Sequence, residues 1–185
     1  MLEKPNKTPK RPNFSCGPCV KRPGWTIKNL NNLDLLGRSH RSDICLKTLN
    51  EVISLTKETL DIPIDYKVAI VPGSNTGAFE MALWSMIGPL PVDALAWETF
   101  GSGWIYDLKD QLKIKDLRIH KADYSSIPNL SLVSEESDIC FTWNGTTSGV
   151  RVPNADWISK NRKGITFCDA TSAIYSQELD WKKID

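Results

Sequence analysis

The sequence predicts an α/β fold built around a largely parallel β-sheet, and three observations support this. Short apolar, β-branched runs alternate with longer segments of helical periodicity, as in strands joined by crossover helices. Small and hydroxyl-bearing residues follow several of these runs, as turns at strand ends require. The 185 residues are 41% hydrophobic and 24% charged, which is typical of one globular domain or a large part of one.

The helices and strands are predicted in chain order. Residues 42–60 have apolar positions on one helical face, with Ser42 as the N-cap. Residues 66–71 read Tyr-Lys-Val-Ala-Ile-Val, which predicts a buried strand. Further helices are expected at 77–87, 103–112 and 154–160, and further strands at 93–97, 117–120, 138–143 and 164–168.

Charge and hydropathy exclude several classes of protein. The 23 basic and 22 acidic side chains leave a net charge of +1, which gives no general attraction to nucleic acid or anionic lipid. No apolar run approaches the ~18 residues of a membrane helix, and no apolar stretch follows the basic N-terminus as a secretory signal would need. The sequence therefore predicts a cytoplasmic protein without nucleic-acid or membrane partners.

The cysteines admit an alternative interpretation. The pair Cys16 and Cys19 has the spacing of a thioredoxin-type redox motif. That chemistry needs a strand before the pair and a helix after it, but Pro23 and Gly24 interrupt the second flank. An odd total of five cysteines and the lack of a second such pair favour reduced thiols over disulfides or zinc. A thioredoxin-like or phosphate-binding module stays an alternative.

Chemically useful side chains follow the predicted strands, where α/β proteins bind ligands. Residues 72–77 form a turn whose backbone N–H groups and hydroxyls can hold a phosphate at a helix start. Trp104 can stack on a flat heterocycle or pack in the core, and residues 144–149 form a hydroxyl-rich turn. Asp169 follows an apolar strand, so a cationic or hydrogen-bonding partner is expected.

Together these features match the requirements of pyridoxal 5′-phosphate (PLP). The cofactor needs a phosphate-binding turn, an aromatic neighbour, and a carboxylate that keeps its pyridine nitrogen protonated, so that the ring withdraws electrons from a substrate carbanion. The remaining requirement is a lysine that forms the Schiff base.

The sequence contains several motifs whose order and spacing resemble those of the phosphoserine aminotransferase family. These enzymes are class V aminotransferases of PLP fold type I. The motifs are Phe14-Ser15-Cys16-Gly17-Pro18, Gly37-Arg38-Ser39-His40-Arg41, Gly73-Ser74-Asn75-Thr76-Gly77-Ala78, Phe100-Gly101-Ser102-Gly103-Trp104, Asn144-Gly145-Thr146-Thr147-Ser148-Gly149 and Cys168-Asp169-Ala170-Thr171-Ser172. The resemblance implies a three-layer large domain with a mostly parallel mixed sheet. It makes residues 1–40 a basic arm and substrate-side loop and residues 41–185 the first part of the PLP-binding domain.

The resemblance also implies an activity and partners. PLP is the expected cofactor. The expected reaction converts 3-phosphohydroxypyruvate and L-glutamate into O-phospho-L-serine and 2-oxoglutarate, on the route to serine, in a homodimer. Another class V aminotransferase is the closest alternative, and the pair His40 and Arg41 argues against it because those substrates lack a second anion of this kind.

The resemblance assigns roles to particular residues. For the cofactor these are Ser74, Asn75 and Thr76 at the phosphate, Trp104 stacked on the pyridine ring, Thr146 at the ring hydroxyl and Asp169 at the pyridine nitrogen. Arg41, assisted by His40, is expected to receive the distal anion of the substrate, because a guanidinium binds phosphate and carboxylate bidentately. The phosphate turn lacks the arginine that many relatives carry there.

No catalytic lysine is assigned within the chain. In the family this lysine lies on a strand that follows a segment like Leu179–Asp185. Lys182 and Lys183 both precede the position expected for that strand. The chain therefore resembles the N-terminal half of the enzyme, and by itself it is expected to be inactive.

Overall fold

The computed structural model describes residues 6, 7, 10, 22–30, 35 and 37–185. The chain divides into two compact units, Met1–Leu49 and Asn50–Asp185. The Cys16–Cys19 motif and most of the expected N-terminal arm lie outside the described residues. The expected domain boundary after residue 40 stays a prediction. No helix in the described part of the chain is long and apolar enough to cross a lipid bilayer.

The first long helix confirms the predicted amphipathic segment, but its start differs in detail. Helix α1 covers Asp43–Thr59, with an acidic residue in its first turn and Lys57 in its last, both favourable for the helix dipole. The hydroxyl of Ser42 donates to the carbonyl of Ser39 at 2.8 Å. This bond uses the side chain that the sequence suggested as the N-cap.

Four parallel strands form the main sheet, as the alternating pattern predicts. They are β1 (Val92–Ala96), β2 (Leu117–Lys121), β3 (Asp138–Thr142) and β6 (Thr166–Asp169). Their order is β2-β1-β3-β6, and every pairing is parallel. The antiparallel component is a separate pair, β4 (Asn144–Gly145) with β5 (Val150–Arg151).

Two further helices begin earlier than their apolar periodicity indicates, because side chains cap them. Helix α2 covers Asn75–Met86, and the Ser74 hydroxyl accepts the Gly77 N–H at 3.1 Å. Helix α3 covers Thr99–Tyr106 and continues as a π-helical turn, Asp107–Gln111. The carboxylate of Glu98 caps α3 by accepting the Gly101 N–H at 2.7 Å.

Buried side chains form one cluster on each face of the sheet. Successive residues of β1 and β3 alternate between the two clusters, as the two-residue period of a strand requires. The first cluster contains Leu95, Trp97, Ile139, Phe141, Trp143, Val152, Ala155, Ile158, Ala173 and Ile184. The second contains Leu83, Val92, Ala94, Ala96, Trp104, Ile105, Leu108, Cys140 and Phe167. Helices α2 and α3 therefore cover one face, and the loops after β5 cover the other.

Two predicted elements are wrong. Residues 66–71 are not a strand, because a strand needs a hydrogen-bonded neighbour and the described residues provide none for this segment. Ile70 is consequently 54% exposed. Residues 154–160 form turns instead of a helix, because the Asn154 side chain accepts the Asp156 N–H at 3.0 Å and closes the backbone locally.

A buried carboxylate joins β1 to β2. Asp93 is fully buried. Its carboxylate accepts hydrogen bonds from the Arg118 guanidinium at 2.7 and 2.8 Å and from the Ser134 N–H at 3.0 Å. Its Oδ1 also lies 2.8 Å from Nε2 of His120. Burial alone raises the pKa of Asp93, but the hydrogen bonds from Arg118, His120 and Ser134 outweigh burial and lower it below the ordinary value.

Candidate active site

A cavity of about 330 Å³ lies at the carboxyl ends of β3 and β6, beside helices α2 and α3. Its volume falls within the ~300–1,000 Å³ of small-molecule sites. The residues that line it are Ser74, Asn75, Thr76, Phe100, Trp104, Thr142, Asn144, Thr146, Asp169, Thr171 and Ser172. All six residues with predicted cofactor roles are among them. The structure thus brings together four separate segments of sequence, while the individual roles stay predictions.

Five of the lining residues were given no individual role from the sequence. They are Phe100, Thr142, Asn144, Thr171 and Ser172. All but Thr142 belong to the motifs that carry the family resemblance, so the signal available was membership of those motifs. Thr142 differs from the others because it belongs to β3 itself, where its alternation with Phe141 places it on the cavity face.

Asp169 has the hydrogen-bonding partners that the sequence requires of it. Its Oδ2 accepts the indole N–H of Trp104 at 3.0 Å, and its Oδ1 accepts the Thr171 N–H at 3.1 Å. Two donors therefore fix the carboxylate, and lone pairs remain on both oxygens for a further donor. A protonated ring nitrogen is one such donor.

Trp104 is a core residue that also lines the cavity, and its stacking on a cofactor ring stays a prediction. It lies in the second turn of α3, further into the helix than predicted, because Glu98 starts the helix at Thr99. It is 6% exposed and packs against Phe79 with the ring centroids 4.5 Å apart. It is therefore a core residue that also lines the cavity and holds Asp169.

The start of α2 supplies the predicted phosphate-binding turn. Ser74 has an extended backbone, and Asn75 and Thr76 are the first two residues of the helix. Their backbone N–H groups have no partner within the helix, because the first turn of any helix lacks the preceding carbonyls. Such N–H groups, with the positive end of the helix dipole, form an anion site. The preceding Gly73 adopts φ = +108°, which disfavours any residue with a side chain.

The opposite wall is cross-linked by hydroxyl and amide groups. The hydroxyls of Thr146 and Ser172 lie 2.7 Å apart, and the Asn144 side-chain amide donates to Ser172 at 3.0 Å. These bonds join the turn after β4 to the turn after β6. Thr146 is consequently held near the end of β6, which carries Asp169. Its role at the cofactor's ring hydroxyl stays a prediction.

An orphaned hydroxyl shows that the cavity fits a polar ligand. Thr142 is 2% exposed, and its Oγ1 has no hydrogen-bond partner among the described residues. Thr142 pairs in register with Asp169 on the neighbouring strand. A buried hydroxyl without a partner costs roughly 1–3 kcal/mol, so native proteins seldom keep one without a reason. The carboxylate, the helix start and this hydroxyl suit a flat heterocycle that carries a phosphate.

The described residues that line the cavity include neither a lysine that could form a Schiff base nor a cysteine. Lys183 is 6% exposed and donates to the Ile158 carbonyl, and Lys182 is exposed. Burial, followed by the nearby Asp169 carboxylate, raises the pKa of the Cys168 thiol well above its ordinary value. This shift favours the protonated thiol, which is a weaker nucleophile than a thiolate.

The predicted substrate-binding residues lie in the other compact unit. His40 and Arg41 are exposed in the turn before α1. Their predicted role at the substrate's distal anion stays a prediction.

Known proteins of similar sequence are phosphoserine aminotransferases. The enzyme of Methanosarcina barkeri (strain Fusaro) is 51% identical over 182 residues, which are 98% of this chain and 49% of that enzyme. The Methanosarcina mazei enzyme is 50% identical with the same coverage, and that of Parabacteroides distasonis is 29% identical over 187 residues, covering 95% of this chain and 51% of the relative. The chain thus spans about half the length of the curated relatives it matches. No protein-family model matches it.

Solved structures with a similar fold carry the same name. A phosphoserine aminotransferase from Cytophaga hutchinsonii has a TM-score of 0.75 at 22% identity, over 86% of this chain and 45% of that one. A PLP-bound phosphoserine aminotransferase from Trichomonas vaginalis has a TM-score of 0.62 at 16% identity, over 81% of this chain and 43% of that one.

The fold is therefore that of part of these solved structures, an α/β fold around a parallel sheet, consistent with the fold type I that the sequence predicts. Within that class, the sequence resemblance to phosphoserine aminotransferases is confirmed over nearly the whole chain.

Proposed function

We propose that this chain forms the PLP-binding part of a phosphoserine aminotransferase. The observation that carries the proposal is the convergence of all six predicted cofactor residues on one cavity, where Asp169 accepts a hydrogen bond from Trp104. The 51% identity to a phosphoserine aminotransferase over 98% of the chain supports it independently.

PLP, when bound, supplies a protonated pyridine ring that withdraws electrons from a substrate carbanion. The residues of the chain would bind and orient that ring. The Asp169 carboxylate would hold the proton on the pyridine nitrogen, because an ion pair in a partly buried site favours the charged form of the nitrogen. Trp104 would provide a flat apolar surface, and the Thr146 hydroxyl would bind the ring hydroxyl.

The phosphate would be bound without a cationic side chain from the lining residues. The N–H groups at the start of α2 and the hydroxyls of Ser74 and Thr76 are the available donors. The substrates we propose are 3-phosphohydroxypyruvate and L-glutamate, with Arg41 and His40 at their distal anion. A cytoplasmic homodimer completes the proposal.

The first experiment is PLP binding by the 185-residue chain, measured as the absorbance change on titration. The expected result is saturable binding that Asp169→Asn weakens at least tenfold, since the amide cannot neutralise the charge of the ring nitrogen. Asn129→Ala is the matched control, because it removes a local cap in a loop that does not line the cavity. Binding that is absent, or equal in wild type and Asp169→Asn, would contradict the proposal.

Activity requires a second experiment. The chain is co-expressed with the part of the Methanosarcina barkeri enzyme that the aligned residues do not cover, and the complex is assayed for glutamate-dependent conversion of 3-phosphohydroxypyruvate. Activity in the complex supports the proposed reaction if Asp169→Asn abolishes it and Arg41→Lys mainly raises the KM for the substrates. A stable complex that binds PLP without this activity would exclude these substrates.

A further inference from the structure

We propose that Glu98 and Thr147 are positioning residues that hold Thr146 at the cavity, by tethering the turn 145–149 to the start of helix α3. This inference rests on the PLP site proposed above, and neither residue lines the cavity itself.

Glu98 is the fixed end of this tether. It is 2% exposed, and its two carboxylate oxygens have different partners. Oε1 accepts the Gly101 N–H at 2.7 Å and thereby caps α3, the helix that carries Trp104. Oε2 accepts the hydroxyl of Thr147 at 3.0 Å. One buried carboxylate therefore joins a helix start to a turn 49 residues further along the chain. Hydrogen bonds to an ionised acceptor are among the stronger ones in proteins.

Thr147 is the other end, and its hydroxyl is surrounded by partners. Besides donating to Glu98, it accepts the Thr99 N–H at 3.4 Å and lies 3.2 Å from the Tyr124 hydroxyl. The Tyr124 hydroxyl also lies 2.8 Å from that of Thr99. Thr147 is thus hydrogen-bonded to Glu98 and Thr99 at the start of α3, and to Tyr124 in the loop that follows β2. These contacts fix its backbone, and Thr146 is the adjacent residue.

The close approach of the two segments requires Gly145. A Cβ at this position would lie 2.5 Å from Cγ of Glu98 and 2.8 Å from Nε1 of Trp97, distances that no side chain tolerates. The turn therefore lies directly on Glu98. On its other side Thr146 meets Ser172. The cavity wall at Thr146 is held from both directions, and the Glu98 contact is the one that reaches α3.

The test is a double-mutant cycle read by PLP affinity. Thr147→Val keeps the shape of the side chain but removes its hydroxyl, and should weaken PLP binding about tenfold, the size expected for losing one well-placed hydrogen bond. Thr147→Ser retains the hydroxyl and should restore affinity to within about twofold. If Thr147 acts through Thr146, then in a Thr146→Val background the further change Thr147→Val should alter affinity less than about twofold.

A second measurement does not require PLP. Amide hydrogen exchange of residues 145–149 in the chain without added cofactor should accelerate in Thr147→Val, because loss of the tether allows local opening. The exchange of α2 should not change. Asn129→Ala serves again as the control for loss of a local cap elsewhere.

The outcomes separate the two proposals. If wild type binds PLP and Thr147→Val binds equally well, or if the loss of affinity is the same with and without Thr146, the positioning role is overturned while the PLP site stands. If wild type does not bind PLP, the proposed function fails and this inference fails with it. Unchanged exchange of residues 145–149 would overturn the tether regardless of PLP.

Discussion

At the scale of single residues, the cavity combines a hydrogen-bonded carboxylate with a hydroxyl that has no partner among the described residues. Asp169 receives two donors, whereas Oγ1 of Thr142, beside it in register, has no partner in the part of the chain that the structure describes. Thr142 is buried, so its unpaired hydroxyl reduces stability, whereas the half-buried carboxylate of Asp169 keeps its two donors. A destabilising group that persists inside a cavity is typical of a binding site, because ligand contacts recover the loss.

Thr142→Val tests this directly. The substitution replaces an unpartnered hydroxyl by a methyl group of similar size, so without PLP we expect a gain of about 1 kcal/mol. This corresponds to a rise in Tm of roughly 2–4 °C for a chain of this length. With saturating PLP the gain should disappear. Thermal unfolding with and without PLP measures both.

Thr166→Val is the matched comparison for that experiment. Thr166 is also fully buried, and its Oγ1 has no partner within the described ranges, but it does not line the cavity. It should raise Tm equally with and without PLP. If the two variants behave identically under both conditions, Thr142 is an ordinary buried hydroxyl and has no part in the site.

At the scale of helices and strands, capping decides where the functional helices begin. Apolar periodicity located α2 and α3 but started them at residues 77 and 103, whereas the structure starts them at Asn75 and Thr99. The difference arises because Ser74 and Glu98 satisfy the first N–H groups, a side-chain interaction that apolar periodicity does not register. This shift moves the start of α2 to the cavity, where anion binding is proposed.

Hydrogen-bonded pairing between distant segments explains which of the predicted strands are present in the structure and which one is not. The runs that became β1, β2, β3 and β6 were predicted within two residues. Every residue of β1 and β3 is buried, which gives a largely apolar signal, whereas β2 is a partly exposed edge strand. Residues 66–71 carry the same signal without a partner strand among the described residues. Apolar composition indicates that a segment can be a strand, but pairing decides whether it is.

The pairing of β1 with β2 depends on Asp93, and its substitution predicts a specific pH dependence. Asp93→Asn removes the charge that Arg118 and His120 face. We expect a loss of about 2 kcal/mol at pH 7, below the ~3–5 kcal/mol of a fully buried ion pair because Arg118 is 44% exposed. Urea unfolding of both proteins between pH 7 and pH 3 measures the difference.

The sign of the pH dependence follows from the lowered pKa of Asp93. A carboxylate whose native pKa lies below its unfolded value stabilises the fold above the unfolded pKa, and this contribution is lost as pH falls towards the native pKa. The difference between wild type and Asp93→Asn should therefore be constant from pH 7 to about pH 5 and should shrink below about pH 4. A difference that grows on acidification would contradict this account of the network.

At the scale of the whole molecule, the sequence predicted which residues meet but not how they are held. Each of the four turns was ambiguous separately, and the convergence of three of them followed from one rule, that the carboxyl ends of parallel strands share an edge. The turn at residues 72–77 does not follow a strand, and it reaches the cavity as the start of α2. The bonds that hold the edge, such as Glu98 to Thr147 and Thr146 to Ser172, join residues 26 or more positions apart. No local pattern encodes such pairs. The relation of Arg41 to the cavity stays a prediction for a similar reason, because it belongs to the other unit.

The absence of lysine from the described cavity lining leads to a prediction for the chain as a whole. A covalent bond to PLP forms between its aldehyde and a nearby unprotonated amine. The buried Lys183 donates to the carbonyl of Ile158 and does not line the cavity. We therefore expect the 185-residue chain to bind PLP reversibly.

Two measurements check this expectation. After reduction of the PLP-loaded protein with sodium borohydride, intact-mass analysis should show no lysine modified in proportion to PLP occupancy. Gel filtration should remove the cofactor from protein that has not been reduced. The same treatment of Asp169→Asn gives the background of surface labelling, which wild type should match. Stoichiometric labelling of one lysine in wild type alone would show that the chain supplies its own amine, and would contradict the site as described.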